Sequence, residues 1–208
     1  MEKGNRNFSD RRFYPVFFMI IISIFFIGLL ATFYYFTYEK IENYRITNKK
    51  RDILDLFSIP IRDLNSDFDD YIKEKRVNDQ VYYIATRDSV ILGYCYEING
   101  EGLWGTIKAL LVFDPEFKSL QGLEILEQNE TPGLGGRITE KWFKDQFKDR
   151  DLVKNNKIIS LQLVPEGEDN TGNKINQITG ATSSSRAVVR LIDKEFAKIV
   201  QQRDLNYD

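Results

Sequence analysis

The stretch "QVYYIATRDSVILGYCYEINGEGLWGTIKALLVFDPEFKSLQGLEILE", residues 80–127, decides the fold. It is rich in β-branched and aromatic residues, and these predict strands at 80–86, 89–98, 105–113 and 120–127. Turn-forming pairs separate the predicted strands, namely Arg87-Asp88, Asn99-Gly100 and Asp114-Pro115. Four clustered strands with short connections favour an antiparallel sheet.

Helices are predicted before and after this sheet. Residues 39–58 are predicted to be helical, and the apolar spacing in 61–76 predicts a second, amphipathic helix. After the sheet, the pattern predicts a helix at 138–147, a strand at 157–164, a polar loop at 165–176 and a last helix from Ser184 to Gln201. The fold class is therefore α+β, with a mainly antiparallel sheet flanked by helices.

The N-terminal part contains 26 consecutive residues without a charge, "FYPVFFMIIISIFFIGLLATFYYFTY", at 13–38. A helix of that length can cross the hydrocarbon core of a bilayer. A cleaved signal peptide is the alternative, but its apolar run is shorter and ends in small residues, whereas this one ends in aromatic residues. The predicted organisation is a tail at 1–12, a transmembrane helix at 13–38, a helical connector at 39–78 and a domain at 79–208. Basic residues on both sides of the span leave its orientation open.

Composition excludes several classes of site. The chain has one cysteine, Cys95, and no histidine, so an internal disulfide, a thiolate metal cluster and a histidine-dependent nucleophile are excluded. No metal site and no catalytic residue are predicted. The net charge of −2 gives no indication of nucleic-acid binding. Cys95 lies in an alternating apolar stretch, and we expect it to be buried.

Two glycine-bearing stretches are candidate parts of a binding site. "NETPGLGGRI", 129–138, joins a predicted strand to a predicted helix, and its glycines can bring backbone N–H groups close to a flat ring or an anion. The alternative is a connection that only turns the chain. "GEGLWGTI", 100–107, places Trp104 at the head of a strand. Contact with an aromatic cofactor is one interpretation of Trp104, and packing in the core or at an edge is the alternative.

The third candidate stretch is "TGATSSS", 179–185, at the start of the last predicted helix. A helix N-terminus exposes unpaired N–H groups and a partial positive charge, which favour a phosphate. Ordinary N-capping by serine or threonine is the alternative. One cap needs one hydroxyl, however, and this stretch supplies five.

Together, "GEGLWGTI", "ETPGLG" and "TGATSSS", after one N-terminal span, resemble the FMN-binding domain family represented by the C-subunit of the Na⁺-translocating NADH:quinone reductase and the G-subunit of the Rnf complex. The resemblance covers nearly the whole chain. It implies FMN joined covalently, through its phosphate, to the second threonine of [ST]-G-A-T, which is Thr182 here. It also implies that further residues contact the phosphate or the flavin ring: Thr179, Gly180, Ala181, Ser183, Ser184, Glu130, Thr131, Leu134, Gly135 and Trp104.

The resemblance implies a function as well. The chain would itself be an electron carrier, as a subunit of a redox-driven ion-pumping NADH:quinone reductase of the Na⁺-translocating type or of an Rnf-type complex. Other membrane subunits and membrane lipid would be its partners. A flavin transferase would attach the FMN. The domain would lie on the periplasmic or outer side of the cell (inner) membrane.

One departure from the family pattern concerns the residue six positions before the modified threonine. The family usually has aspartate there, and this chain has Asn176. Two other functions stay open, and Asn176 bears on the second of them. One is an anchored flavoprotein of another extracytoplasmic electron chain, and the other is a flavin-free binding or scaffold domain.

Overall fold

The computed structural model describes residues 8–77 and 80–205. The chain forms two compact units, Met1–Asn48 and Lys49–Asp208. The longest element is helix α1, Phe8–Leu56, which contains the whole uncharged run. The predicted helical continuation beyond residue 38 is thus confirmed, and it ends at Leu56, two residues before the predicted end.

The first unit contains an apolar helix whose side chains are exposed from residue 13 to residue 36. Among the described residues, one helix is long enough and apolar enough to cross a membrane, judged by length and composition, and it is this one. Its hydroxyl groups are satisfied within the helix: Thr32 Oγ1 donates to Gly28 O at 2.8 Å, and Thr37 Oγ1 donates to Phe33 O. Internal hydrogen bonding of this kind is what an apolar solvent requires.

The second unit is built on a six-stranded sheet, antiparallel throughout. The strands follow one another in chain order: β1 (Ile72–Val77), β2 (Gln80–Arg87), β3 (Val90–Glu101), β4 (Thr106–Phe113), β5 (Ser119–Glu127) and β6 (Arg150–Asp151). The predicted antiparallel sheet and its four central strands are confirmed. The two edge strands, β1 and β6, were not predicted.

The helix predicted at 61–76 is wrong in its second half. Helix α2 covers only Leu64–Tyr71, and the chain then enters β1, where Ile72 pairs with Ala85 of β2. The predicted helical connector at 39–78 therefore includes a strand. "IKEKRV" contains good helix formers, but pairing with β2 overrides their propensity, as tertiary contacts often do. All residues of β1 after Ile72 are exposed, which suits a charged edge strand.

The predicted turn at Asn99-Gly100 is also wrong. Both residues lie within β3 and pair with Lys108 and Ile107 of β4. The reversal occurs four residues later, where Gly102 N–H donates to Gly105 O at 2.8 Å. This shift places the "GLWG" residues at the tip of the β3–β4 hairpin instead of at the head of a strand.

The segment after β5 is less regular than predicted. The helix predicted at 138–147 is a 3₁₀-helix, Gly135–Thr139, followed by a short α3, Lys141–Asp145. In place of the strand predicted at 157–164 and the polar loop at 165–176, the structure has three short strands, and a fourth precedes them. These are β7 (Val153–Lys154), β8 (Lys157–Ile158), β9 (Gln162–Val164) and β10 (Lys174–Asn176), and β9 pairs with β10 in parallel. The last helix, α4, covers Thr182–Leu205.

The sheet is covered on both faces. Along β4, Ile107, Leu111 and Phe113 face a core shared with α3 and α4. Leu110 and Val112 point the other way, into a core shared with the end of α1 and with α2. Alternating side chains of a strand point to opposite faces of its sheet, so β4 is buried on both sides. Cys95 of β3 is fully buried in the second core, as predicted.

Candidate functional site

A single buried carboxylate connects the three stretches that the sequence singles out. Glu130, only 4% exposed, accepts hydrogen bonds at Oε1 from the N–H groups of Leu103 (2.7 Å) and Trp104 (3.2 Å). Its Oε2 accepts a hydrogen bond from Ser184 Oγ at 2.5 Å. The hairpin tip, the loop after β5 and the first turn of α4 therefore meet at one side chain.

Two glycines make this close approach possible. A Cβ atom at Gly102 would collide with Glu130 Oε1 and lie 2.8 Å from Gly105 O. A Cβ atom at Gly135 would collide with Ser184 Oγ and lie 2.8 Å from Glu130 Oε2. The glycines of "GLWG" and "PGLGG" therefore allow the backbone to close around Glu130.

The "TPGLG" loop also reaches the loop before α4. Leu134 N–H donates to Thr131 O at 3.1 Å and Gly136 N–H donates to the same oxygen at 3.0 Å, which closes the loop on itself. A Cβ atom at Gly180 would lie 3.3 Å from Leu134 Cδ2, so Leu134 lies directly beside Gly180. Gly180 has a φ of 79°, a conformation that glycine adopts without strain. The two loops thus form one continuous surface.

The five hydroxyls of "TGATSSS" fall into two groups. Ser184 and Ser185 are buried, and their hydroxyls are used inside the fold. Ser185 Oγ accepts from Ile178 N–H at 3.0 Å and donates to Ala181 O at 3.1 Å, while Ser184 binds Glu130. Thr179 and Ser183 are exposed, and Thr182 is partly exposed. Hydrogen bonds inside the fold therefore account for the two buried serines, the Thr179 hydroxyl is bonded to Glu166, and Thr182 and Ser183 are the remaining hydroxyls with exposed surface.

The start of α4 keeps unpaired N–H groups beside these hydroxyls. The helix begins at Thr182, two residues before the predicted Ser184. Within the helix, the first backbone bond of this turn runs from Ser185 N–H to Ala181 O at 3.0 Å. Within residues 8–77 and 80–205, the N–H groups of residues 182, 183 and 184 have no acceptor. Such a turn suits an anion, because the N–H groups and the helix dipole both favour negative charge.

A second carboxylate holds the loop before α4. Glu166 Oε2 accepts a hydrogen bond from Thr179 N–H at 2.8 Å. Hydrogen bonds from the Thr179 hydroxyl and N–H lower the pKa of the Glu166 carboxyl below its ordinary value, because they favour the ionised form. Glu166 is exposed, so it remains negative at neutral pH on the outer side of this loop.

A groove of about 350 Å³ lies beside Ser183. Leu103 and Leu191 line it, and a Cβ atom at Gly100 would lie 2.6 Å from Leu191 Cδ1. Three basic side chains, spaced by four residues along α4, also line the groove: Arg186, Arg190 and Lys194. Glu101 is the acidic residue of the lining, so the accessible end of "TGATSSS" opens towards a surface with an excess of positive charge.

Two apolar side chains project at the hairpin tip. Trp104 is 71% exposed, although its backbone N–H donates a hydrogen bond to Glu130. Leu134 is 47% exposed at the neighbouring loop. A large exposed indole held on a fixed backbone is available for contact with a flat ligand. Of the alternatives for Trp104, packing in the protein core is therefore wrong.

The structure thus gathers the predicted residues at one place. Glu130, Gly135 and Ser184 form its buried centre, and Ala181 is buried next to them. The accessible residues surround that centre: Trp104, Thr131, Leu134, Thr179, Gly180, Thr182 and Ser183. Their contacts with a cofactor stay a prediction. Across the described ranges, no cluster of three or more histidine, cysteine, aspartate or glutamate side chains could hold a metal ion.

Sequence reasoning missed three residues of this region. Ser185, Glu166 and Gln146 all hold the backbone before or at the start of α4. Ser185 belongs to the hydroxyl cluster, and its place inside the first helical turn was a usable signal. Glu166 and Gln146 are 13 and 30 positions from the residues they bind, so no local pattern reveals them.

The class of the domain follows from comparison with known families. Residues 102–195, just under half of the chain, match the family described as FMN-binding domain. The matched part contains the residues of all three stretches that meet at Glu130, namely Leu103, Trp104, Glu130 and Ser184.

Relatives agree with this class. The chain is 27% identical over 131 residues to the C-subunit of the Na⁺-translocating NADH-quinone reductase of Vibrio vulnificus, an alignment that covers 62% of this chain and 51% of the relative. It is 32% identical over 114 residues to the G-subunit of the ion-translocating oxidoreductase complex of Methanosarcina acetivorans, covering 54% and 55%. The chain therefore spans about half the length of the curated relatives it matches.

The fold is shared with two crystal structures. Shewanella oneidensis NqrC aligns with a TM-score of 0.67 at 18% identity, over 74% of this chain and 93% of that one. The C-subunit of the Na⁺-translocating NADH-quinone reductase of Parabacteroides distasonis aligns with a TM-score of 0.61 at 20% identity, over 71% and 87%. At this identity the likeness concerns the arrangement of the sheet and helices.

Proposed function

We propose that this chain carries FMN as a phosphoester of the Thr182 hydroxyl and transfers electrons through it. One observation carries the proposal: Thr182 is accessible at the first residue of α4, whereas the buried hydroxyls of Ser184 and Ser185 are already bound. The residues fit a phosphate, because unpaired N–H groups of the first helical turn lie next to that hydroxyl. Gly180 leaves the backbone of this turn open to close approach.

The flavin ring would lie over the surface formed by the two loops next to Thr182. Leu134, Thr131 and Trp104 are exposed there, and the first two belong to one closed loop. When bound, FMN supplies the one-electron chemistry, and the chain holds and orients it. Glu130 would keep the loops at fixed positions relative to the helix start, because it binds all three segments.

The test is the mass of the full chain, made with and without a flavin transferase and its FAD donor. We expect a gain equal to FMN less water, found on the tryptic peptide 175–186 and assigned to Thr182 by fragmentation. Thr182→Val should abolish the gain, and Ser183→Ala, the neighbouring exposed hydroxyl, should keep it. A modified Thr182→Val chain, or a wild-type chain that remains colourless and binds no FMN, would contradict the proposal.

We further propose that the chain works as a membrane-anchored subunit of a redox-driven ion-translocating oxidoreductase. The support is the apolar N-terminal helix together with the names of two relatives, both subunits of ion-translocating complexes. The chain itself would be an electron carrier, and other membrane subunits would exchange electrons with it. Purification of the tagged full chain from its own membranes tests this, because co-purifying oxidoreductase subunits are expected. Purification of a flavinylated chain alone would favour the stand-alone flavoprotein.

The flavin domain is proposed to lie on the outer side of the membrane, with lipid around residues 13–38. A single cysteine introduced at exposed Ser160 offers a direct test, because the native Cys95 is buried. A membrane-impermeant maleimide should label Ser160→Cys in intact cells. Labelling that requires lysis would place the domain on the cytoplasmic side.

A further inference from the structure

We propose that Asn176 is a positioning residue for the segment that contains Thr182. Its side-chain amide donates hydrogen bonds to the turn that carries Glu166, and Glu166 in turn binds that segment. This inference rests on the proposed attachment of FMN to Thr182 and names the residues that prepare that site. It also gives Asn176 a role that a carboxylate cannot fill.

The side chain of Asn176 makes two donated hydrogen bonds. Its Nδ2 lies 3.0 Å from Pro165 O and 3.0 Å from Glu168 O. Both partners are carbonyl oxygens, which only accept, so the amide nitrogen must face them and the orientation of the amide is fixed by chemistry. Asn176 therefore holds both ends of the turn at residues 165–168.

The backbone of Asn176 is held separately, by another part of the fold. Gln146, which is 7% exposed, accepts from Asn176 N–H at Oε1 (2.7 Å) and donates from Nε2 to Asn176 O (3.2 Å). Asn170 Nδ2 donates to the same Gln146 Oε1 at 3.3 Å. Because Gln146 fixes the main chain, the side chain of Asn176 transmits that position to the turn.

The turn at residues 165–168 also holds the segment that leads to Thr182. Glu168 N–H donates to Pro165 O at 3.2 Å, and Glu166 lies inside this turn. Its carboxylate accepts from Thr179 N–H at 2.8 Å, three residues before Thr182. The contacts thus form a closed path from Asn176 through the turn and Glu166 back to Thr179. That path fixes the backbone at residues 176 and 179, the two ends of the segment that leads into Gly180 and Thr182.

An aspartate at 176 would oppose this arrangement. Its carboxylate oxygens would face the two carbonyl oxygens that now accept from Nδ2, and like partial charges repel. Only the protonated form could donate, and then to one carbonyl, so the pKa of that aspartate would rise. Of the carboxylates of this region, Glu166 contacts the attachment segment directly, whereas Asp169 binds Thr171 and Lys174.

The first experiment measures hydrogen exchange of the Thr179 amide in the full chain and needs no flavin. Protection should fall about tenfold in Asn176→Ala and in Glu166→Ala, the change expected when about one net hydrogen bond is lost. Glu166→Gln keeps an acceptor and should keep protection. Asn173→Ala is the matched control, because Asn173 Nδ2 donates to Ser160 O, outside the path. Unchanged Thr179 protection in Asn176→Ala overturns the proposal.

The second experiment compares initial rates of FMN attachment with a transferase and FAD. In this reaction the Thr182 oxygen bonds to the flavin-side phosphorus of FAD, the bond to AMP breaks, AMP leaves, and the hydroxyl proton passes to solvent. We expect about a tenfold lower rate in Asn176→Ala and Glu166→Ala, and a wild-type rate in Glu166→Gln and Asn173→Ala. Equal rates in wild type and Asn176→Ala overturn the positioning role. A wild-type chain that gains no FMN refutes the proposed function instead, and the Thr179 measurement still decides the Asn176 contacts.

The pH profile of Asn176→Asp tests whether residue 176 must donate hydrogen bonds or only needs to fill space. Its folded-state pKa is expected above the unfolded value, so the variant is penalised at neutral pH and recovers as pH falls through that raised pKa. Thr179 protection relative to wild type should therefore increase from pH 7 towards pH 5 in Asn176→Asp and stay constant in Asn176→Ala. An Asn176→Asp variant with wild-type protection and faster FMN attachment at pH 7 would overturn the proposal.

Discussion

Ser184 donates a 2.5 Å hydrogen bond to Glu130, although the two residues are 54 positions apart and both are buried. Glu130 also accepts from two N–H groups of the β3–β4 hairpin tip. One carboxylate thus fixes the helix start against the hairpin, and its charge is compensated by donors from both. The accessible residues of the proposed FMN site are arranged around this buried centre.

Glu130→Ala should destabilise the second unit by about 3 kcal/mol, because it leaves the buried Ser184 hydroxyl and two partly buried N–H groups without their acceptor. Glu130→Gln should cost less, since its amide oxygen can still accept from the hairpin N–H groups and Ser184 can reverse its hydroxyl. Denaturant unfolding of the full chain in detergent measures both. Glu116→Gln, which removes an exposed pair with Lys118, is the control and should change stability by less than about 1 kcal/mol. Equal stability of Glu130→Ala and wild type would refute the central role of Glu130.

Ser185→Ala and Ser183→Ala should differ, although the residues are two apart in one helix turn. Ser185 Oγ is the acceptor for the buried Ile178 N–H at 3.0 Å, so its removal should cost about 1–3 kcal/mol. Ser183 is exposed, and its substitution should stay within about 0.5 kcal/mol. Parallel thermal unfolding of the two variants tests this. Similar losses in both would mean that the hydroxyl cluster does not divide as the hydrogen bonds indicate.

The central sheet could be predicted from the sequence because its residues carry strong local signals. In β4, a continuous apolar run between turn residues is typical of a strand buried on both faces, and Leu110 and Leu111 do enter opposite cores. β1 gives no such signal. Its lysine, glutamate and arginine residues favour a helix locally, and the pairing with β2 that decides its structure is a tertiary contact.

The candidate site could be predicted only as far as local motifs reach. The hydroxyl cluster and the two glycine stretches were found, because each is a run of neighbouring residues. Their convergence on Glu130, and the separation of Ser184 and Ser185 from Thr182, depend on contacts between distant segments. The amide role of Asn176 is of the same kind, since Pro165 and Glu168 bind it from a separate turn.

Trp104→Ala should change the fluorescence of the bound flavin without changing the stability of the fold. The indole is 71% exposed, so its loss should alter stability by no more than about 0.5 kcal/mol. If the proposed FMN ring stacks on Trp104, removal of the indole should raise the fluorescence of the flavinylated chain, because a stacked indole quenches flavin emission. Val90→Ala is the matched control, an exposed apolar residue at the start of β3, the end of that strand that lies away from the hairpin tip. Unchanged emission in Trp104→Ala would separate Trp104 from the flavin.

Asp193 should make stability depend on pH. Burial raises the pKa of its carboxyl above the ordinary 3.8, and the Leu161 N–H, 3.2 Å away, opposes this shift only in part. Between the ordinary pKa of 3.8 and the raised pKa of the folded state, the folded chain binds more protons than the unfolded chain. Stability therefore falls as pH rises through that window. Asp193→Asn keeps the acceptor without the charge. It should melt higher than wild type at pH 8 and at the same temperature below pH 3.8. Asp193→Ala, without the acceptor, should melt below Asp193→Asn at every pH.

Cys95 should be inert as long as the second unit is folded. Burial raises the pKa of its thiol, because a thiolate would lose its hydration inside the core shared by β3 and α2. Alkylation then requires an opening of the core, and its rate in the native full chain should be about a hundredfold below that of an introduced Ser160→Cys. The Ser160→Cys rate should also rise between pH 7 and pH 9 as an ordinary thiol ionises, whereas the Cys95 rate should stay low. Urea should abolish the difference between the two thiols, and native Cys95 reacting as fast as Cys at position 160 would contradict a closed core.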